Sequence, residues 1–237
     1  MKKLLLIILL SIVSCNNEAK VDLSKIESLE NTHNILKKMN VSNIQIQDGY
    51  WEVIKKNDKL DLKLHNNGNI STIYNLNTRK DRKKFYFDDI AINENLGGKI
   101  IENKNTIAFV DVNFENVETF NILRKLKNNL GQPDQILKQN IFYKTNDRQV
   151  KTILKVFENK EYNLKKDEFD DKYLFYPLHY IWNVNGYIYK YTLQINEISF
   201  NNNLVIISNK AFNEKLIFGY HNPKEDMILK KYYNEKF

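Results

Sequence analysis

The sequence predicts an α+β fold made of helix-plus-antiparallel-sheet units, with a possible tandem duplication and no transmembrane bundle. Three observations predict it. Asn185-Gly186 sits between two long alternating runs, the pattern of a tight hairpin. Residues 117–130 carry an apolar stripe at helical spacing that stops at Gly131. Short elements of sequence recur about 88 residues apart. Of the 237 residues, 42% are hydrophobic and 27% charged, the range of an ordinary folded protein. That excludes a disordered chain and a multi-span membrane protein.

The first element is an address. Lys2 and Lys3 form a positive segment, and residues 4–13 an apolar run long enough for a signal peptide and too short to span a bilayer. Next comes Ile12-Val13-Ser14-Cys15: two aliphatic positions, a small residue and the chain's single cysteine. This stretch resembles a bacterial lipoprotein signal with its lipobox. The resemblance implies cleavage after residue 14, a diacylglycerol on the Cys15 thiol and an acyl group on the new amino terminus. It therefore implies a membrane partner through Cys15. The alternative is an ordinary secretory signal with an incidental cysteine. No Asp follows Cys15, so the known inner-membrane retention signal is absent and the outer membrane is favoured, on either face. Loss of Lys2 and Lys3 lowers the formal charge from +7 to +5. Residues 15–22, which begin with the lipidated cysteine, are short, polar and aperiodic, and read as a tether.

Residues 24–39 carry Ile26, Leu29, Ile35, Leu36 and Met39 at helical spacing, with Ser24 as a candidate N-cap. Residues 60–64 alternate as a strand, Asn66-Asn67-Gly68 reads as a turn, and residues 70–74 return. Residues 115–130 form the better helix, with Val117, Phe120, Leu123, Leu126 and Leu130 on one stripe, Gly131 past its end and Pro133 preventing continuation. Residues 178–195 form the clearest hairpin. A type I′ turn at Asn185-Gly186 pairs Val184 with Tyr187, Trp182 with Tyr189, Tyr180 with Tyr191 and Leu178 with Leu193, all on one face. Residues 204–207 and 216–218 add strands, and residues 227–233 a last strand or short helix.

The recurrences keep their order. Residues 34–39 match 121–126, 57–59 match 146–148, and 74–76 match 162–164. Phe85 and Phe87 match Tyr173 and Phe175, and Gly98 and Ile100 match Gly186 and Ile188. The expected division is a signal peptide over 1–14, a tether over 15–22, one α+β unit over 23–112, a second over 113–200 and a strand extension over 201–237. The succession of helix, Leu130-Gly131-Gln132-Pro133, strands, then Trp182 before a tight hairpin is similar to small envelope α+β modules. β-Lactamase-inhibitor-protein-like repeats and small outer-membrane assembly lipoproteins share that plan. The resemblance covers residues 115–195 and implies protein binding rather than catalysis; it carries over no functional residue.

The chemistry-bearing residues are sparse. Metalloprotease, nucleophile-elbow, phosphate-loop, dinucleotide and EF-hand motifs are absent from the sequence. With Cys15 acylated, no thiol is left for Cys–His catalysis, and one cysteine excludes a disulfide framework. No cofactor is expected. The four histidines, His33, His65, His179 and His221, are far apart. Residues 167–171, Asp-Glu-Phe-Asp-Asp, offer oxygen ligands for Ca²⁺ or a solvated loop. Arg79, Lys80, Arg82, Lys83 and Lys84 crowd into six residues. They offer contacts to anionic lipid, lipopolysaccharide or an acidic protein, or form an exposed connection. Tyr180, Trp182, Tyr189 and Tyr191, with Tyr187, offer an aromatic contact surface or a face packed under the helix at 115–130. Of 36 basic residues only four are Arg, and 35 residues are Asn, the bias of an AT-rich genome. Scarce Arg argues against sequence-specific nucleic-acid binding. The expected function is a membrane-anchored, non-catalytic protein-binding module of the cell envelope, in one version an immunity protein against an envelope-directed toxin. The alternatives are an envelope hydrolase whose site assembles only in three dimensions, and a structural lipoprotein.

Overall fold

The computed structural model describes residues 20–28, 32–56, 59–143, 147–157, 161–196 and 199–214. The chain is mostly sheet with few helices. Among the described residues no helix is long and apolar enough to cross a membrane. Cys15 and the expected elements at 216–218 and 227–233 lie outside the described residues.

The strands are β1 (Val21–Asp22), β2 (Asn43–Lys56), β3 (Lys59–Asn75), β4 (Phe85–Phe87), β5 (Ile90–Ala91), β6 (Lys99–Asn103), β7 (Thr106–Asn113), β8 (Gln135–Phe142), β9 (Asn163–Lys166), β10 (Lys172–Val184), β11 (Tyr187–Ile195) and β12 (Phe200–Ser208). The helices are α1 (Thr32–Lys38), α2 (Arg79–Arg82), α3 (Thr119–Leu130), α4 (Arg148–Val156) and α5 (Asn209–Glu214), with 3₁₀ turns at Leu23–Ser28 and Asn116–Glu118. Nine strands form one sheet in the order β2-β3-β6-β7-β12-β11-β10-β8, with β9 also on β10; every pairing in it is antiparallel. A small second sheet joins β1, parallel, to β4 and then β5.

Two cross-strand rows define the two faces. Tyr74, Ile100, Val110, Ile206, Tyr189 and Trp182 stand side by side across six strands. Each is at most 2% exposed. They form the main core with Leu36 of α1, Ile122, Leu123 and Leu126 of α3, Val150 and Ile153 of α4, and the small sheet. One residue along, Ile73, Ile101, Phe109, Ile207 and Ile188 form the matching row on the opposite face, where Ala211 and Phe212 of α5 join them. Strand alternation thus makes both faces of the sheet's middle apolar, and helices lie on both.

The hairpin at 185–186 has the expected register: Val184 opposite Tyr187, Trp182 opposite Tyr189, Tyr180 opposite Tyr191. Asn185 and Gly186 have φ of 52° and 81°, the left-handed pair a type I′ turn needs. Gly131 ends α3 at φ 81°. The expected strand at 204–207 lies inside β12.

Five expectations change. The helix expected over 24–39 is carried as a 3₁₀ turn at Leu23–Ser28, with Ser24 inside it, and as α1 at Thr32–Lys38. The helix at 115–130 begins as a 3₁₀ turn, and Val117 on that turn is 83% exposed, off the buried stripe. Asn66-Asn67-Gly68 is not a reverse turn: β3 runs straight through it. Opposite Gly68, at φ 80°, the register slips between Gln47 and Gly49, an irregularity in which three residues of β3 face one of β2. The tether ends before residue 21, because Val21 and Asp22 form β1 and Val21 is buried. β12 is no appendage beyond a second unit. It lies in the middle of the sheet, between β7 and β11. Of the recurrences, Ile100 and Ile188 both lie in the strand next to the last of their half of the sheet. Phe85 and Phe87 lie in the small sheet, and Tyr173 and Phe175 in the large one.

Buried tyrosines set an alkaline limit. Burial is the main cause that raises the hydroxyl pKa of Tyr74, Tyr176, Tyr180 and Tyr191, with Glu102 adding to it at Tyr74. The fold holds their neutral forms, while an unfolded chain ionises them near the ordinary value of about 10. Stability is therefore complete below about pH 10 and falls as pH rises further. Urea midpoints should drop above about pH 10, with tyrosinate absorbance at these sites appearing together with unfolding. Full titration of these tyrosines in an intact fold would contradict this.

Candidate functional site

The basic run is divided by the fold. Thr78 caps α2, its hydroxyl oxygen accepting from the Asp81 backbone N–H at 3.1 Å. This turn buries two of the five cations. Arg82 donates to the Leu76 and Glu94 carbonyls, both at 2.8 Å. Lys84 donates to the Met39 carbonyl and lies 3.6 Å from Asp81. Arg82 and Lys84 thus hold loops together and are withdrawn as surface contacts; burial of a charge is tolerated because each is bonded. Arg79, Lys80 and Lys83 remain exposed. Arg79 pairs with Glu94, and Lys83 approaches the same carboxylate at 3.7 Å. Arg79 first, then Lys83, pulls the Glu94 pKa below its ordinary value.

The aromatic face is also withdrawn as a surface. Tyr180, Trp182, Tyr189 and Tyr191 are fully buried under α3. Trp182 Nε1 donates to the Gly131 carbonyl at 2.9 Å, and Tyr191 Oη to the Thr119 carbonyl at 2.7 Å, pinning both ends of α3 to the sheet. Aromatic rings bring area and polar handles; all four spend the area in the core, and Trp182 and Tyr191 also use their polar handles internally. Tyr187 is half-buried beside them.

The acidic run is the β9–β10 turn. Asp167 Oδ1 accepts from the Phe169 and Asp171 backbone N–H groups at 2.9 Å, an Asx-type turn. Lys166 bonds Asp170 at 2.6 Å and holds its pKa low. Phe169 at the tip is 78% exposed. Among the described residues no group of three or more His, Cys, Asp or Glu is placed to hold a metal ion. His33 lies in α1, His65 in β3 and His179 in β10, with His179 Nδ1 3.0 Å from Thr192 Oγ1; His221 lies outside the described residues.

Three features carry no signal in the sequence. The first is an arm. β2 and β3 pair from Gly49–Asn66 out to Lys56–Lys59, whereas β6 pairs β3 only over Ser71–Asn75. Eight residue pairs, about 26 Å of ribbon, therefore extend past the sheet. Trp51 stands in it opposite Leu64, and Val53 opposite Leu62. Among the described strands, β2 pairs with β3 alone, so it is an edge fourteen residues long. The second is an open groove of about 650 Å³ along the outer side of α3, where Lys125 bonds Asp88 and, at 2.7 Å, Asp89. The third is a smaller cleft of about 390 Å³ at the ends of β7, β11 and β12. None has a sequence motif; each arises where elements end at different lengths.

No family model, curated protein or solved structure matches this chain.

The split of the basic run gives a direct test. Arg82→Ala, which strands two carbonyls, should cost about 1–3 kcal/mol in urea unfolding. Arg79→Ala should leave the midpoint in place. Equal effects would show that α2 carries no internal role.

Proposed function

We propose that this protein is a lipid-anchored, non-catalytic module of the cell envelope that binds another protein by strand addition to its β2 edge. The observation that carries the reading is the arm. A two-stranded ribbon is marginal by itself in water, and a long edge presents a row of unpaired backbone donors and acceptors. An extended segment of a partner completes such an edge with main-chain hydrogen bonds. An inhibitor or immunity protein that holds an envelope-directed toxin through this edge is one version.

The lipobox at residues 12–15 supports the anchor. Three acyl chains, at about 0.8 kcal/mol per buried methylene, hold a protein on a membrane essentially permanently. Six residue steps lead from Cys15 to Val21, a reach of about 20 Å. Val21 N–H donates to the Lys84 carbonyl at 2.8 Å. An acylated Cys15 therefore keeps α2 and its exposed Arg79, Lys80 and Lys83 close to the headgroups, where cations are favoured by anionic lipid. The absence of Asp after Cys15 favours the outer membrane.

The α+β duplication is part of the same reading. After β1, each half runs helix first, α1 or α3, and ends in a strand, β7 or β12, that pairs with the other half's last strand. The halves thus lie as mirror-ordered runs, β2-β3-β6-β7 and β8-β10-β11-β12. Insertions differ between them: α2, β4 and β5 in one, α4 and β9 in the other.

Two experiments test the reading. Cys15→Ser should move the protein from the membrane to the soluble fraction; unchanged fractionation would overturn the anchor. Replacing residues 50–65 by Asn-Gly, a two-residue turn joining Gly49 to Asn66, should preserve the melting curve and abolish photocrosslinking of a partner from β2. Crosslinking that survives arm removal would overturn strand addition.

A further inference from the structure

The cleft at the ends of β7, β11 and β12 differs in chemistry from the rest of the molecule. Its lining is Leu96, Phe114 and Thr192 with six amides: Asn113, Asn116, Gln194, Asn201, Asn202 and Asn203. None of the nine is charged, in a chain where 27% of residues are. Amides exceed even the biased composition: Asn and Gln together number 42 of 237. Genomic bias therefore does not account for the lining.

The cleft has a fixed base. Asn202, buried, accepts from Phe114 N–H at 2.8 Å and donates to Thr119 Oγ1 at 2.7 Å. Asn203 donates to Asp111 Oδ1 at 2.7 Å and to the Val112 carbonyl at 3.2 Å. The loop that carries Leu96 is locked by buried Asn93, which accepts from the Asn95 and Leu96 N–H groups and donates its own N–H to the Asn113 carbonyl. On this base, Gln194 and Asn201 stand opposite each other at the mouth, both exposed. Their amides, and that of Asn116, are uncommitted among the described residues.

We propose that this cleft binds a neutral saccharide. An amide presents a donor and an acceptor side by side, which fits adjacent hydroxyls that each donate and accept. Without a charged side chain, an ionic ligand would give up its hydration for no counter-charge. Leu96, about half exposed, gives the apolar faces of a sugar ring a place to rest. The volume, about 390 Å³, lies within the roughly 300–1,000 Å³ of ligand pockets.

The test uses the full chain in a sugar-free detergent, titrated calorimetrically with glucose, N-acetylglucosamine, maltose and chitobiose. Glucuronic acid and glucosamine serve as charged counterparts. At least one neutral sugar should bind, and the charged counterpart of its ring at least 5-fold more weakly. Gln194→Ala and Asn201→Ala, both at exposed positions, should each weaken binding about 3- to 10-fold with unchanged melting, the loss of one or two neutral hydrogen bonds. Lys80→Ala should change nothing. Silence from all four neutral sugars, equal binding of a charged counterpart, or binding indifferent to both substitutions would each overturn the proposal.

Discussion

The fold depends on one junction, the antiparallel pairing of β7 with β12 in the middle of the sheet. Asn113 meets Asn203 and Phe109 meets Ile207 across it, 90 and 98 residues apart in the chain. Asn202 secures it sideways. Its amide ties the start of the segment after β7 to Thr119, the first residue of α3. Helix, strand end and sheet centre thus share one buried side chain. A buried amide in this position has to be fully bonded, since each unmet group costs about 1–3 kcal/mol. The six-strand aromatic and aliphatic row from Tyr74 to Trp182 is continuous only because this junction holds its register.

Local signals were legible in the sequence and long-range ones were not. The Asn185-Gly186 hairpin reads correctly to the residue because turn type dictates register, and Gly131 marks the end of α3 because few residues adopt its φ. Asn66-Asn67-Gly68 misleads because the same composition serves a turn and a bulge, and the choice depends on the strand opposite. The burial of Arg82 and Lys84 was hidden because their partners are backbone carbonyls of Leu76, Glu94 and Met39, and carbonyls leave no trace in side-chain chemistry. Val21 and Asp22 read as a tether for a similar reason. A two-residue strand is too short for any period, and its partner Phe85 lies 64 positions away. Of the candidate site residues, the aromatic four turned out to be core. A strip of Tyr and Trp on one face says that the face is covered without saying by what.

Charge is used sparingly inside and freely outside. Buried cations serve as bolts between loops, exposed ones share carboxylates such as Glu94, and the amide cleft holds none.

β1 is a short strand with a mechanical meaning. Its parallel bond to β4 places Val21 at the edge of the body, with Leu23 buried behind it and Asp22 receiving the N–H groups of Ser24 and Asp88. A pull on Val21 is met first by that parallel pairing. β1 is itself a strand of the small sheet, so the load enters that sheet directly, with the Asp22 carboxylate tying it to Ser24 and Asp88. Val21 and Leu23 belong to the same buried cluster as Tyr74, Val110 and Trp182, so the first strand of the described chain is locked into the core that the large sheet shares.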